Sequence, residues 1–414
     1  MRIVSHLRRR RLRVLGWLAT QISALAAAAA FGLGASGSWL WTLLPIATLV
    51  GWHPWMRREG GVPVLMYHSV SANPSWLPGA RDLSVSVGAF KRQLEILARK
   101  GFEVLSTAAL TDLRQNAGAL PRRPVVLHFD DGYLDNWVAA YPMLDEFGFQ
   151  ATFFVSIDFI GCDPEARPTL SDVTRGNVSA EDLRWDGYMS WTELERLEGS
   201  GLIAIESHGE DHGRVAAGPS VVDIVQAENW RQHAWLQWAA MAGSKTSWYL
   251  TPGPPAMPVG SPVLESGPSL STLTWTGDSY ESPERLEERT AEVLRRSRET
   301  LESRLAKRVR FFCWPENAPH PDGGRLVREA GYAASGIGPV GENRVDEDPG
   351  WISRVHVGDS LLGFQVPALD DLAFYAKLRV HQGNYYWFLL LAPLHLVKRV
   401  AKWINARPFG AKLR

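Results

Sequence analysis

The chain has 414 residues, 45% of them hydrophobic and 21% charged, enough for one large domain or two modest ones around a sizeable core. Lys plus Arg, at 44, equals Asp plus Glu, at 44, so net charge implies no polyanion and no nucleic-acid partner. Cys162 and Cys313 make no disulfide framework and leave the redox compartment open, and 18 tryptophans suit sugar stacking, a membrane interface or core packing alike.

Arg8 to Arg11 and Arg13 precede an apolar run over about 14–34, and a second run, about 39–55, ends at Arg57-Arg58. A cleaved signal peptide accounts for the first run, with Ala35-Ser36-Gly37 as small residues for cleavage, but not for the second. At roughly 21 and 17 residues, each run is long enough to span a bilayer. Arginines at both outer ends and none in the connecting turn predict a hairpin with both ends cytoplasmic. Pro45 and Pro54 weaken the second span, and a single signal anchor is the alternative. Residues 1–59 are therefore expected to be an anchor of two transmembrane helices in the inner (cell) membrane, with the rest of the chain on the cytoplasmic face.

A globular segment begins near Gly60. Val62-Pro63-Val64-Leu65-Met66-Tyr67-His68 reads as a strand, Val87, Phe90, Leu94 and Leu97 keep helical spacing until Gly101, and 102–105 is a short strand before another helix. Val125-Val126-Leu127-His128-Phe129 suits a buried strand that stops at Asp130-Asp131-Gly132-Tyr133. A helix over about 133–147, a strand at 151–155, a helix at 191–198 and a strand at 201–206 continue the alternation, which argues for a parallel α/β architecture. Residues 161–189 and 242–284 interrupt it as long loops; Trp248, Tyr249, Trp275 and Tyr280 in the second suit sugar stacking or packing of the loop on its own domain. An amphipathic helix over 283–307 leads into Phe311-Phe312-Cys313-Trp314-Pro315-Glu316-Asn317, and 331–334 and 351–357 complete the strands. Beyond residue 370 an apolar run, 385–393, is too short to span and is followed by Lys398, Arg399, Lys402, Arg407, Lys412 and Arg414. Segment 371–414 is expected to lie at the interface of anionic membrane lipid or to dock on the folded domain.

Two carboxylates at the mouth of an apolar strand repel each other and are costly to desolvate. A cation relieves this, neutralising one and leaving the other to act as a base, although an Asp-Asp-Gly turn without such a role has the same sequence. Downstream, Ile203-Ala204-Ile205-Glu206-Ser207 leads into His208-Gly209-Glu210-Asp211-His212. Two histidines four apart can put both imidazoles on one side of a turn or a starting helix, a spacing that suits a metal. His128 points to the same side of its strand as Asp130, either as a partner of the site or as a buried structural histidine. His68 ends the first strand, where it either lines the pocket or packs.

Phe129-Asp130-Asp131-Gly132 followed by His208-x-x-x-His212 resembles the polysaccharide deacetylases, the NodB-homology domain also called carbohydrate esterase family four, over about residues 62–358. Ala151-Thr152-Phe153-Phe154-Val155 and Trp191-Thr192-Glu193-Leu194 fit the same pattern, while Gly209 stands where the family has Ser or Thr. The resemblance implies a distorted (β/α) barrel of the NodB-homology type over 60–370, with fewer than eight full units and its chemistry at the carboxyl ends of the strands. The implied activity is metal-dependent hydrolysis of the N-acetyl group of an amino sugar in a polysaccharide or glycoconjugate. The alternatives are a deacetylase or deformylase of a lipid-linked amino sugar at the inner membrane, and a saccharide-binding module with impaired catalysis. An N-acetylated saccharide or glycolipid and membrane lipid are thus the expected partners.

By the same resemblance Asp131, His208 and His212 are metal ligands and Asp130 the general base; two imidazoles and one carboxylate with open positions suit Zn2+. Residues 313–316 resemble the family's third motif, a Pro turn that walls the pocket, so Trp314, Pro315 and Glu316, with Tyr133 and His68, are candidates for substrate binding. Members with an arginine before that proline use it to orient the base; here Cys313 and Trp314 stand in its place, and Glu316 stands where many members have Tyr. His356 resembles the late histidine that acts as general acid, with a core or surface histidine as the alternative.

Overall fold

The computed structural model describes residues 6–32, 43–239, 241, 243–250, 257–360, 364–394 and 396. The chain divides into two compact units, one of Val64–Gly338 with Asp348–Gly358, the other of Met1–Pro63, Pro339–Glu347 and Asp359–Arg414. Residues 339–347 and the described residues beyond 358 group with the N-terminal helices.

In the larger unit Val64–Tyr67, Pro124–Phe129, Ala151–Val155, Ile203–Ser207, Phe311–Cys313 and Ala334–Ile337 lie side by side in chain order, all parallel. Their near-continuous apolar runs suit strands covered on both faces. Residues 351–356 bridge the two edges: Trp351–Ser353 pairs with Ala334–Ile337, and Val355–His356 pairs with Val64–Tyr67. The result is the expected nearly closed parallel β/α barrel of fewer than eight units, with Arg354 at its seam.

The covering helices follow their sequence signals. Val87–Arg99 starts where the Ser86 hydroxyl accepts from the Ala89 N–H, and it buries Phe90, Leu94 and Leu97. The helix expected over 133–147 opens instead with a wide turn, Asn136–Ala140, before Tyr141–Phe147. Such turns accompany functional sites, and here the Asn136 side chain donates to the His68 carbonyl at 2.9 Å. Within the segment 242–284, expected to be a loop, Pro262–Pro268 forms a strand that pairs antiparallel with Arg214–Ile224. Gly218 and Pro219 interrupt any alternation there, so the pairing carries no local period.

In the smaller unit Leu44–Met56 runs back along His6–Gly32. Met56 and Val14 share a core with Ala373, Ala376 and Val380 of Pro367–His381, and with Tyr385 and Leu391. Arg10 is buried, 3.6 Å from Glu342 and 3.2 Å from the His381 ring, and the Tyr385 hydroxyl donates to Glu342. Among the described residues Arg8–Ala30 is long and apolar enough to cross a membrane, whereas Leu44–Met56 has 13 residues with Pro54 inside it. The described part of the second leg is thus shorter than the roughly 20 residues a span needs. The cleavage candidate at 35–37 and the basic residues from Lys398 onward lie outside the described residues.

Candidate active site

Pro124–Phe129 ends where Asp131 and Gly132 take successive left-handed conformations, both at φ 72°. A side chain at Gly132 would bring a Cβ to 3.1 Å from Val155, so only glycine fits the turn that presents the two carboxylates. Ile203–Ser207 delivers His208, whose Nδ1–H donates to the Cys313 carbonyl at 2.8 Å. That bond leaves Nε2 facing Asp131 Oδ1 at 3.2 Å. His212 brings its Nε2 to 3.9 Å from the same oxygen, not from a helix but from a loop in which its own φ is 51°. Gly209 in that loop has φ 85°, a conformation that the family's Ser or Thr would adopt only under strain. Asp131, His212, Glu316 and Asn317 are four of the seven non-glycine residues with positive φ among the described residues, so backbone strain concentrates at this pocket.

One ligand atom each from Asp131, His208 and His212 lie within 4.8 Å of one another. Asp131 Oδ1 is buried without a hydrogen-bond partner among the described residues, as expected of an oxygen shaped for a cation. Burial works against the charge on Asp131, yet the facing His208 and His212 hold its carboxyl below the usual range. Burial likewise opposes charge on His208, and Cys313 and Asp131 together hold its pKa well above the ordinary value. A divalent cation would take the place of that proton. Asp130, His208 and Cys313 form a second such group, but burial raises the Cys313 thiol and keeps it neutral, a poor ligand.

Asp130 is only 2% exposed, and Arg354 is buried beside it. Arg354 Nη1 donates to both carboxylate oxygens, at 2.7 and 2.8 Å, and Nη2 donates to Asn317 Oδ1 at 2.8 Å. Burial favours the neutral acid, but the guanidinium prevails and holds the Asp130 pKa below the usual range. Arg354 therefore makes the orienting contact for which the third motif has no arginine. The sequence reading missed it, although a lone arginine within Ile352-Ser353-Arg354-Val355 is costly to bury unless paired and was a usable signal.

A cavity of about 460 Å³ holds Asp130, Asp131, His208 and His212 together with His68, Tyr133, Glu316 and His356. The His68 and His356 rings lie 5.9 Å apart, and His68 Nε2 is 3.9 Å from Asp130. Glu316 lines the cavity and pairs with Arg214. Trp314 does not line it: the indole is buried against Phe312 and donates to Ser335 Oγ at 3.1 Å. Pro315 is also buried and does not line the cavity. His128 is a structural histidine, 2.9 Å from the Thr107 hydroxyl, and burial pushes its pKa down to about 3.

Residues 117–254, which include both carboxylates and both histidines, match the family model described as Polysaccharide deacetylase. The protein YxkH of Bacillus subtilis (strain 168), whose name assigns it to the polysaccharide deacetylases, is 31% identical over 109 residues, 26% of this chain and 37% of its own length. The poly-beta-1,6-N-acetyl-D-glucosamine N-deacetylase of Escherichia coli (strain K12) is 22% identical over 161 residues, 39% of this chain and 22% of its own length. The chain thus matches well under half the length of either curated relative. A de-N-acetylase from Aggregatibacter actinomycetemcomitans shares the fold, with a TM-score of 0.50 and 19% identity over 72% of this chain and 95% of that one. The segment that carries both motifs thus resembles the polysaccharide deacetylases, and the barrel around it has the fold of a de-N-acetylase.

Proposed function

We propose that the chain is a metal-dependent N-deacetylase that hydrolyses the N-acetyl group of an amino sugar in a polysaccharide or glycoconjugate. The observation that carries this reading is the convergence of Asp131, His208 and His212 beside an Asp130 that Arg354 keeps ionised. The three residues would hold a divalent cation, with Zn2+ favoured by one carboxylate and two imidazoles. Such a cation supplies Lewis acidity toward the acetamide carbonyl and acidifies a water.

The chain's own residues do the rest. Asp130 takes a proton at a carboxylate oxygen from the attacking water, and Arg354 fixes the direction in which that oxygen points. The new C–O bond replaces the C–N bond, and the amine must leave with a proton. Burial holds His68 below its ordinary pKa and so neutral, which leaves His356, exposed at the end of Val355–His356, as the donor. The products are acetate and a free amino sugar. The altered third motif is no argument for an inactive binding module, because Arg354 makes the contact that the motif lacks. The Arg8–Ala30 helix is proposed to hold the enzyme at the inner membrane, in contact with membrane lipid.

The test is metal analysis and acetate release on N-acetylglucosamine oligomers with the purified full chain. About one zinc per chain and acetate release are expected; saccharide binding with neither metal nor acetate would replace the enzyme with a binding module.

A further inference from the structure

The cavity that contains the proposed metal ligands has a second wall, formed by Leu77, Leu83, Phe159, Ala234, Trp238 and Trp248. None of these side chains is charged. Leu77, Phe159, Ala234 and Trp248 belong to one buried cluster with Tyr133 and Tyr188. The Trp248 indole N–H donates to the Tyr188 hydroxyl at 2.9 Å, and Trp238 packs edge-on against Phe159 and Trp248, with ring centres 5.6 and 5.2 Å apart. Buried Lys245 bridges Asp158, at 3.4 Å, and Asp211, so the segment that carries Trp248 is tied to the loop that ends at His212. The wall is therefore built into the site and is not a loose flap beside it.

An acetyl methyl group covers little of such a surface, and a second sugar ring would need a hydrogen-bond partner for each hydroxyl it buried. Of the wall's buried polar atoms only the Trp238 indole N–H lacks a partner among the described residues. One donor suits the single ether, ester or amide oxygen that joins a chain to a sugar. We propose, resting on the deacetylase reading, that this wall receives an alkyl chain carried by the amino sugar, so that the substrate is an amphipathic glycoconjugate. The chain has two possible sources, a lipid aglycone or an N-acyl group longer than acetyl.

The experiment uses the zinc-loaded full chain and two ligand series. One is methyl, butyl, hexyl and octyl N-acetylglucosaminide; the other is methyl glucosaminide bearing N-acetyl, N-butanoyl and N-hexanoyl groups. Binding is read by tryptophan fluorescence and turnover by release of the free amine. Affinity should rise about three- to fourfold per methylene in one series, which identifies the source of the chain. Ala234→Trp, which fills the wall, should flatten that dependence while the protein keeps its metal. Equal affinity along both series would overturn the proposal, as would affinity that grows with the number of sugars in an N-acetylglucosamine oligomer instead. Chain-length-dependent binding without amine release would leave the alkyl site standing and remove the deacetylase reading.

Discussion

Arg354 Nη1 donates to both carboxylate oxygens of Asp130, at 2.7 and 2.8 Å, across 224 positions of chain. Arg354 sits between Trp351–Ser353 and Val355–His356, the two short strands that bond to opposite edges of the sheet. The side chain that orients the base thus comes from the segment that bridges the two edges of the sheet.

Removing that guanidinium should cost both stability and chemistry. In Arg354→Met a buried carboxylate loses its cation, a change of about 3–5 kcal/mol in urea unfolding. Burial is then opposed only by the weaker pull of His208 and His68, so the Asp130 pKa rises and the acid limb of the pH–rate profile moves to higher pH. Arg354→Lys should restore the charge but not both contacts, and fall between. An acid limb that stays in place in Arg354→Met would show that this residue does not set the protonation of Asp130.

The two adjacent aspartates should separate cleanly. Asp130→Asn should keep its zinc and lose roughly 10²–10⁴ in rate, the range for loss of a general base. His208→Ala and His212→Ala should lose bound zinc and activity together. If Asp130→Asn loses the metal and Asp131→Asn retains it, the roles are reversed; stoichiometric metal in the double histidine variant would sink the ligand assignment.

Asp135 predicts a pH dependence of folding. Burial raises its pKa to about 7, against the Ser69 hydroxyl at 2.5 Å and the Val70 N–H at 3.2 Å, which favour the anion. A carboxyl whose folded pKa lies above its unfolded one favours folding fully below pH about 4 and loses that contribution as pH rises through about 7. The whole effect is on the order of 4 kcal/mol at most. Urea unfolding between pH 4 and 8 should show the parent losing stability relative to Asp135→Asn over that window. Parallel curves would mean that Asp135 stays ionised when folded.

The helical unit carries a prediction of membrane topology. Met56 packs on Val14, so the chain returns to the Arg10 end of His6–Gly32, and Tyr385 and Leu391 join the same core. We propose from the positive-inside rule that Arg8 to Arg11, Arg13, Arg57 and Arg58 lie on the cytoplasmic side. A fluorescent reporter fused after Arg414 should be bright and alkaline phosphatase there inactive. The reverse pattern would exclude this arrangement.

What the sequence determined is local. A buried strand that stops at two carboxylates, a histidine pair after a second strand, and regular helix–strand alternation are all carried by residues close together in the chain; they led to a parallel α/β architecture with a candidate metal site, and the resemblance to the polysaccharide deacetylases added the barrel and the ligand set Asp131, His208 and His212. The tertiary structure decided which distant groups complete it. Whether Arg354 faces Asp130, or Trp314 faces the cavity or the core, depends on strand register and on how the barrel edges meet, and a one-residue slip reverses the facing side chain. The antiparallel pair of Arg214–Ile224 with Pro262–Pro268 and the wall around Trp238 likewise join segments with no common local period. His212 reaches Asp131 through a left-handed loop, because a four-residue spacing fixes how far apart two side chains are in sequence but not the backbone path between them.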